Sequence, residues 1–144
     1  MTMLILHPVI QLLATFLAFY VLLLGVGRFR RLHLQQKTSF NWKLHVRLGT
    51  TVLLIWLAGM FLGLLMVKLY WHGLLITGVH AKRAFFILPL ILIGLASGWY
   101  MHKRKKKRII LPLVHGSVNV LLLIVSALQA FSGWQVYDAF VLGN

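Results

Sequence analysis

Four long apolar stretches, separated by short basic segments, dominate this sequence. They cover about residues 4 to 27, 45 to 68, 82 to 101 and 110 to 133. A helix needs roughly 20 apolar residues to cross a bilayer, because the hydrocarbon core tolerates only a backbone that forms its hydrogen bonds internally. The sequence therefore predicts an all-α integral membrane protein. We expect an up-down-up-down four-helix bundle that occupies residues 1 to 144 as a single transmembrane domain.

Composition argues against a water-soluble fold. The chain is 60% hydrophobic and 11% charged, whereas soluble domains are about 25% charged. Fifteen Lys and Arg against one acid would indicate a nucleic-acid partner in a soluble protein. Here they lie in short runs beside the apolar stretches, which favours membrane lipid and no nucleic acid. The absence of cysteine excludes iron–sulfur clusters, thiolate zinc sites and covalently attached c-type haem, so a metal would need histidine or oxygen ligands.

The basic residues are distributed unequally between the two ends of the predicted bundle. Six lie between residues 28 and 47 and six between residues 103 and 108, whereas only Lys68, Lys82 and Arg83 lie at the opposite end. By the positive-inside rule, both basic loops face the cytoplasm and both termini lie outside. The sequence thus predicts a multi-pass protein of the cell inner membrane.

Seven histidines are the most informative polar residues, because ionisable groups inside a membrane are expensive and usually functional. Four of them fall one per helix: His7 and His80 near the outer ends of the first and third helices, and His45 and His115 in the inner parts of the second and fourth. In an up-down bundle these are diagonal pairs, whose side chains converge across the core. With almost no acids available, a metal is the obvious partner.

The helix faces that continue from these histidines are small or polar, and they include Gly59, Gly63, Gly94 and Gly98. Glycine on such a face allows close helix packing, and it would equally make room for a flat macrocycle. Two neutral imidazoles are standard axial ligands of haem iron, and a centre ligated in this way transfers electrons without binding a substrate.

Nearby cations would neutralise the two propionates of a haem by charge-assisted hydrogen bonds. The candidates are Lys43 and Arg47 on the inner side, and Lys82 and Arg83 on the outer side. Snorkelling of basic side chains at helix ends is the commoner reason for cations at such positions.

The remaining histidines leave the pairing open. His102 follows His80 by 22 residues, and it therefore lies on nearly the same helix face at the inner end, where it could replace His45 or His115. His72 could likewise replace His80. One haem remains an alternative to two.

The order of the histidines and their neighbours resembles a known family. The features that carry the resemblance are His7-Pro8, His45 followed by Gly49, His80 at the start of the third stretch, and His115-Gly116. Together they resemble the four-helix core of the cytochrome b-561 superfamily, especially its small bacterial four-span relatives of uncharacterised role. The resemblance covers nearly the whole chain and implies two non-covalent haems b, one shared by the first and third helices and one by the second and fourth. Pro8 biases His7 away from helical geometry, so His7 is expected at a non-helical start of its span.

The sequence thus predicts a membrane b-type cytochrome that carries electrons through or along the membrane. It would act as an electron-transfer protein or a subunit of a membrane oxidoreductase rather than as a stand-alone enzyme. Its expected partners are a quinone or quinol, a periplasmic redox protein, or other membrane subunits. The alternative is a haem-free membrane anchor or assembly subunit. A small transporter is disfavoured because the spans lack carboxylates and paired broken helices.

Overall fold

The structure, a computed structural model, describes residues 2–143, with side chains from residue 4 onward. It contains four α-helices: α1 (Thr2–His33), α2 (Trp42–Trp71), α3 (Val79–Lys103) and α4 (Ile110–Tyr137). A π-helical segment, Asp138–Leu142, continues α4. All four helices are long and apolar enough to cross a membrane. The prediction of an all-α four-helix membrane bundle is confirmed, and the helices extend beyond most of the predicted apolar stretches.

Local sequence accounts for where the helices begin and end. α2 starts after Asn41, whose side-chain oxygen accepts a hydrogen bond from the backbone N–H of Leu44 at 3.1 Å. This bond satisfies one of the N–H groups that a helix start leaves without a partner. Pro112 lies in the first turn of α4, where its missing N–H costs no intrahelical bond. At the other end of α2, His72 adopts a left-handed conformation with φ of 52° and stops the helix.

Pro8 does not interrupt α1, which is helical from Thr2 through His33. The expectation that His7 lies at a non-helical start of its span is therefore wrong, since His7 is in the second helical turn. The physical reason is that Pro8 removes one N–H donor and crowds the carbonyl of Leu4, which lies in the first helical turn. Only one turn precedes this point, so a weakened bond there costs less than it would in the middle of the helix.

The four helices form a closed ring. Consecutive helices pack against each other, and α4 also packs against α1. α1 is therefore diagonal to α3, and α2 is diagonal to α4, as an up-down bundle requires. We call the end that carries loops 34–41 and 104–109 the basic end, and the end that carries loop 72–78 the far end.

The hydrophobic core lies at mid-depth between these two ends. Ile91 and Leu122 have no exposed surface at all, and Trp56 is 7% exposed. The indole N–H of Trp56 donates to the hydroxyl of Thr15 at 3.4 Å, so its one polar group has a partner. The other core residues are Ala14, Ala18, Val52, Leu53, Ile87, Leu90 and Leu123. Large apolar side chains are exposed around the outside of the bundle, as expected of a surface that faces lipid tails.

We predict that both termini and loop 72–78 lie outside the cell, because twelve of the fifteen cations lie toward the basic end. The chain has no cysteine, so single-cysteine variants can be labelled without background. Gln36→Cys and Lys106→Cys should react with a membrane-impermeant maleimide only in inverted vesicles, and Leu74→Cys only in intact cells. The opposite pattern would reverse the orientation, and the cysteine-free chain is the control.

Candidate functional site

The four histidines predicted as ligands occupy two levels of the bundle. His45 and His115, on the diagonal helices α2 and α4, bring their ring centres to 6.4 Å at the basic end, with their planes at 72°. His7 and His80, on the other diagonal, lie within electrostatic range of each other at the far end. All four side chains are partly buried. The structure thus brings the rings of His45 and His115 together, and it places His7 and His80 at one level without a ring contact of this kind.

Each of these imidazoles lies against a glycine of the neighbouring helix in the same hairpin. A Cβ atom added to that glycine would stand 3.1 to 3.3 Å from Cε1 of the imidazole, which is closer than ordinary van der Waals contact. Only hydrogen on the glycine leaves the ring its space. The four contacts are His7 with Gly63, His45 with Gly25, His80 with Gly133, and His115 with Gly98.

A constant spacing in the sequence produces these contacts. In every helix, the glycine follows the histidine by 18 residues, which is five complete helical turns and keeps both on one face. Two antiparallel helices with this pattern place histidine against glycine at both ends. The two levels are about 27 Å apart along the helices, close to the thickness of the hydrocarbon core. Sequence reasoning placed these glycines on the histidine faces, 18 residues after each histidine, but did not predict that each would contact the histidine of the neighbouring helix.

Hydrogen bonds to Nδ1 orient three of the imidazoles. Nδ1 of His45 lies 3.2 Å from the backbone carbonyl of Val21 on α1. A carbonyl oxygen can only accept, so Nδ1 of His45 is the donor and carries the proton. In the neutral ring, Nε2 then holds a free lone pair.

Serine hydroxyls accept the Nδ1 hydrogen bonds of the histidines in the second hairpin, which α3 and α4 form. Nδ1 of His115 lies 2.8 Å from Oγ of Ser97, and Nδ1 of His80 lies 3.2 Å from Oγ of Ser132. Both hydroxyls donate their own proton to a backbone carbonyl of their own helix, Ser97 at 2.6 Å and Ser132 at 3.1 Å. They are therefore left as acceptors, and the imidazoles donate from Nδ1. Sequence reasoning identified neither serine.

Asn119 is a second neighbour of the His115 ring. Its side-chain nitrogen lies 3.4 Å from Nδ1, but it donates to the backbone carbonyl of His115 at the shorter distance of 2.8 Å. The contact with Ser97 is the closest to Nδ1 and decides the tautomer. Within residues 4–143, no protein group forms a hydrogen bond with Nε2 of His45, His80 or His115. These nitrogens are available to a ligand.

Buried polar atoms at the far end have fewer hydrogen-bond partners than those at the basic end. Nδ1 of His7 is buried and faces the backbone carbonyl of Gly59 without a hydrogen bond of ordinary geometry. The side-chain oxygen of Gln129 is also buried without a partner, although its nitrogen donates to the backbone carbonyl of His80 at 2.8 Å. Buried polar atoms without partners are uncommon in native proteins, so the hydrogen bonding of the far-end pair is weaker than that of the basic-end pair.

A large cavity reaches the histidine pair at the basic end. Its volume is about 2420 Å³, well above the roughly 300 to 1,000 Å³ of most small-molecule sites. It passes between the helices and is open on one side. The walls around the rings include His45, His115, Gly25, Gly49 and Gly98. Both rings of the pair therefore border this cavity.

The cation closest to this pair differs from the one expected. Arg28 of α1 lines the cavity, lies within electrostatic range of both His45 and His115, and holds its guanidinium 5.5 Å above the ring of Phe40. Arg47 is exposed and is not among the cavity residues. Arg28 follows Gly25 by three residues and so shares the face that meets His45. Its position on this face of α1 was the sequence feature that indicated a place beside His45.

At the far end, the two predicted cations differ in their surroundings. Arg83 lies within electrostatic range of His80, and its guanidinium donates to the backbone carbonyl of Leu128 at 2.9 Å. Lys82 is exposed. Of the two, Arg83 is the cation held beside the far-end pair.

The other histidines lie outside both pairs. The ring of His102 is 5.6 Å from that of Trp42, and His33 stacks on Phe29 at 5.0 Å. His72 is exposed at the end of α2. In the part of the chain with described side chains, no three of His, Cys, Asp and Glu form a metal-binding group.

Comparisons with models of known families, with curated proteins and with solved structures give no match.

We predict that Gly98→Ala leaves the bundle about 1 to 3 kcal/mol less stable than Gly116→Ala does, because the new methyl group at residue 98 crowds the imidazole of His115. Gly116→Ala is the matched control: a Cβ there meets nothing within 4 Å, and alanine favours a helix by about 1 kcal/mol over glycine. Unfolding in mixed detergent micelles measures both. Equal effects of the two substitutions would contradict the contact, and adding His115→Ala to Gly98→Ala should relieve the loss.

Proposed function

We propose that this chain is a membrane b-type cytochrome, which holds haem b between diagonal histidine pairs and carries electrons through the membrane. The observation that carries the proposal is the pair His45 and His115. Their rings are 6.4 Å apart, and each has its Nδ1 engaged by a helix next to its own. Both keep Nε2 as the free nitrogen.

The spacing of this pair fits two axial ligands of one iron. An imidazole nitrogen lies about 2 Å from a metal that it binds and about 1.2 Å from the centre of its own ring. Two rings on opposite sides of one metal therefore have their centres about 6.4 Å apart. The observed distance equals this value, and the adjoining cavity supplies space for a macrocycle. The residues present fit the group.

Hydrogen bonding at Nδ1 is a further reason for the proposal. Histidines that bind metals almost always donate their other N–H to a carbonyl, a carboxylate or a water, which fixes the ring and raises its basicity. The carbonyl of Val21 and the hydroxyl of Ser97 have this relation to the basic-end pair. Ser132 has the same relation to His80 at the far end.

Haem b, when bound, supplies an iron that gains and loses one electron. The chain's own residues determine where this takes place. Two histidine ligands would leave the iron of such a group no open position for a substrate. Arg28 at the basic end and Arg83 at the far end offer positive charge to propionates. The packed layer around Trp56, Ile91 and Leu122 separates the two levels.

The proposal includes two haems, one at each level, and a relationship to the cytochrome b-561 superfamily. It also includes an inner-membrane location, with a quinol, a periplasmic redox protein or another membrane subunit as partner. The far-end pair, His7 and His80, is the second site. Its support is the shared level, the electrostatic proximity of the two rings and the Nδ1 bond of His80.

We predict about two haems b per chain by pyridine haemochrome analysis of detergent-purified protein, since each histidine pair fills both axial positions of one iron. His45→Ala or His115→Ala should remove the basic-end haem and leave the other spectrum intact. His102→Ala and His72→Ala are the controls and should lose neither haem. A colourless protein, after expression with ample haem, would contradict the proposal and favour the alternative function of a haem-free membrane anchor or assembly subunit.

We predict that Ser97→Ala weakens haem binding at the basic end by about 10- to 100-fold, because it removes the acceptor that orients His115. Ser117→Ala removes a hydroxyl from an exposed position of α4 and is the control. The measurement is haem retention during titration with a competing apoprotein, together with the midpoint potential of the remaining haem. Unchanged retention and potential in Ser97→Ala would show that this bond has no part in ligation.

A further inference from the structure

The mouth of the basic-end cavity is lined by six cations, which we call the cationic rim. Two come from the end of α1 and four from loop 104–109: Arg28, Arg31, Lys105, Lys106, Lys107 and Arg108. The chain has a single acid, Asp138, and it lies beyond α4 at the far end. No carboxylate of this chain is therefore available at the rim. Like charges held together repel one another, so the rim is a site of positive potential.

Aromatic rings hold part of the rim in place. The ammonium group of Lys105 lies 4.8 Å from the ring centre of Trp42, at the start of α2. The guanidinium of Arg108 lies 4.8 Å from the ring of Tyr100 and donates to the backbone carbonyl of Arg104 at 2.6 Å. These contacts fold the loop toward the helix ends. The charges of the loop are thereby positioned beside the cavity instead of extending into water.

The wall beneath the rim is apolar and reaches the outer surface of the bundle. It includes side chains from loop 104–109 and the first half of α4 that are exposed on the outside, namely Ile109, Ile110, Leu113, Val114, Leu121 and Ile124. The acyl chain of a lipid beside the bundle would therefore contact the same cavity that the cationic rim borders. Positive charge at the membrane surface, with an apolar track below it, matches an amphiphile with an anionic head.

We propose that the cationic rim binds one anionic phospholipid, with its phosphate among the loop lysines and an acyl chain along the apolar wall of α4. Basic pockets between membrane helices on the cytoplasmic side are suited to such head groups, and each cation near the surface contributes about 1 kcal/mol. An acidic protein surface would match the charges and leave the apolar wall uncovered. An anionic phospholipid matches both the positive charges of the rim and the apolar wall of α4. The proposal does not require haem, because the loop lysines have no part in the histidine sites.

The experiment compares two variants that each lose three positive charges. Lys105→Gln/Lys106→Gln/Lys107→Gln removes cations of the rim. Arg30→Gln/Lys37→Gln/Lys103→Gln removes cations at the same end that do not line this cavity. Full-length proteins are purified in neutral detergent and mixed with phosphatidylglycerol or phosphatidylcholine. Retained lipid is counted by native mass spectrometry, thermal unfolding is followed in parallel, and haem content is recorded for every sample.

We expect the wild type and the control variant to retain about one phosphatidylglycerol and the rim variant to lose affinity on the order of 100-fold. Phosphatidylglycerol should raise the unfolding temperature of the first two proteins only, and soluble glycerol phosphate should have no effect because it lacks acyl chains. Equal retention of phosphatidylcholine, equal losses in both variants, or stabilisation by glycerol phosphate alone would overturn the proposal.

Two features of the design separate its possible failures. If the rim variant does not fold, the single substitutions Lys105→Gln, Lys106→Gln and Lys107→Gln, compared with Arg30→Gln, Lys37→Gln and Lys103→Gln, carry the same test. If the purified protein is colourless, the lipid measurement stands by itself, because neither the rim nor the apolar wall depends on haem. Selective lipid retention without haem would therefore reject the cytochrome and support the lipid site. Haem binding without selective lipid retention would support the cytochrome and reject the lipid site.

Discussion

A hydrocarbon core offers no water to a polar side chain, so an imidazole placed there must find its hydrogen bond in protein. In this bundle the partner comes from the adjacent antiparallel helix. His45 donates to a carbonyl of α1, His80 to a hydroxyl of α4, and His115 to a hydroxyl of α3. Each ring must also approach closely enough to make the bond, which is why a glycine faces its edge. The bond and the glycine together fix the register of each hairpin, and the cavity and the histidine pairs follow from that register.

Much of the fold could be predicted from the sequence, because a membrane limits the choices severely. The apolar stretches give the helices, and their short connections give the antiparallel order. The diagonal placement of His45 and His115 then follows from depth alone. Side chains at equal depth on opposite helices of a four-helix ring converge when both lie on the core-facing side of their helix, which the small and polar faces of these helices indicate. The close approach of the two rings is a consequence of topology and could be reached without knowledge of any contact.

The partners of the histidines could not be predicted in the same way. Periodicity tells which residues share a face, but the rotation of one helix against the next depends on how side chains interlock. Ser97 and Arg28 are important because their helices are turned toward the cavity at those positions. Arg47 is near His45 in sequence, yet it is exposed and is not a cavity residue. Pro8 shows a related limit: a residue's local preference for ending a helix is overridden where few backbone bonds are at risk.

The equal spacing of histidine and glycine in all four helices repeats one pattern in both hairpins. In this pattern α1 corresponds to α3 and α2 to α4, so each histidine corresponds to the other member of its diagonal pair. The two histidines of the basic-end pair nevertheless have different Nδ1 acceptors. For His45 that acceptor is a backbone carbonyl, which side-chain substitution cannot remove, whereas for His115 it is a serine hydroxyl. One half of the basic-end pair is thus fixed by the fold, and the other half can be tuned by evolution through a single codon.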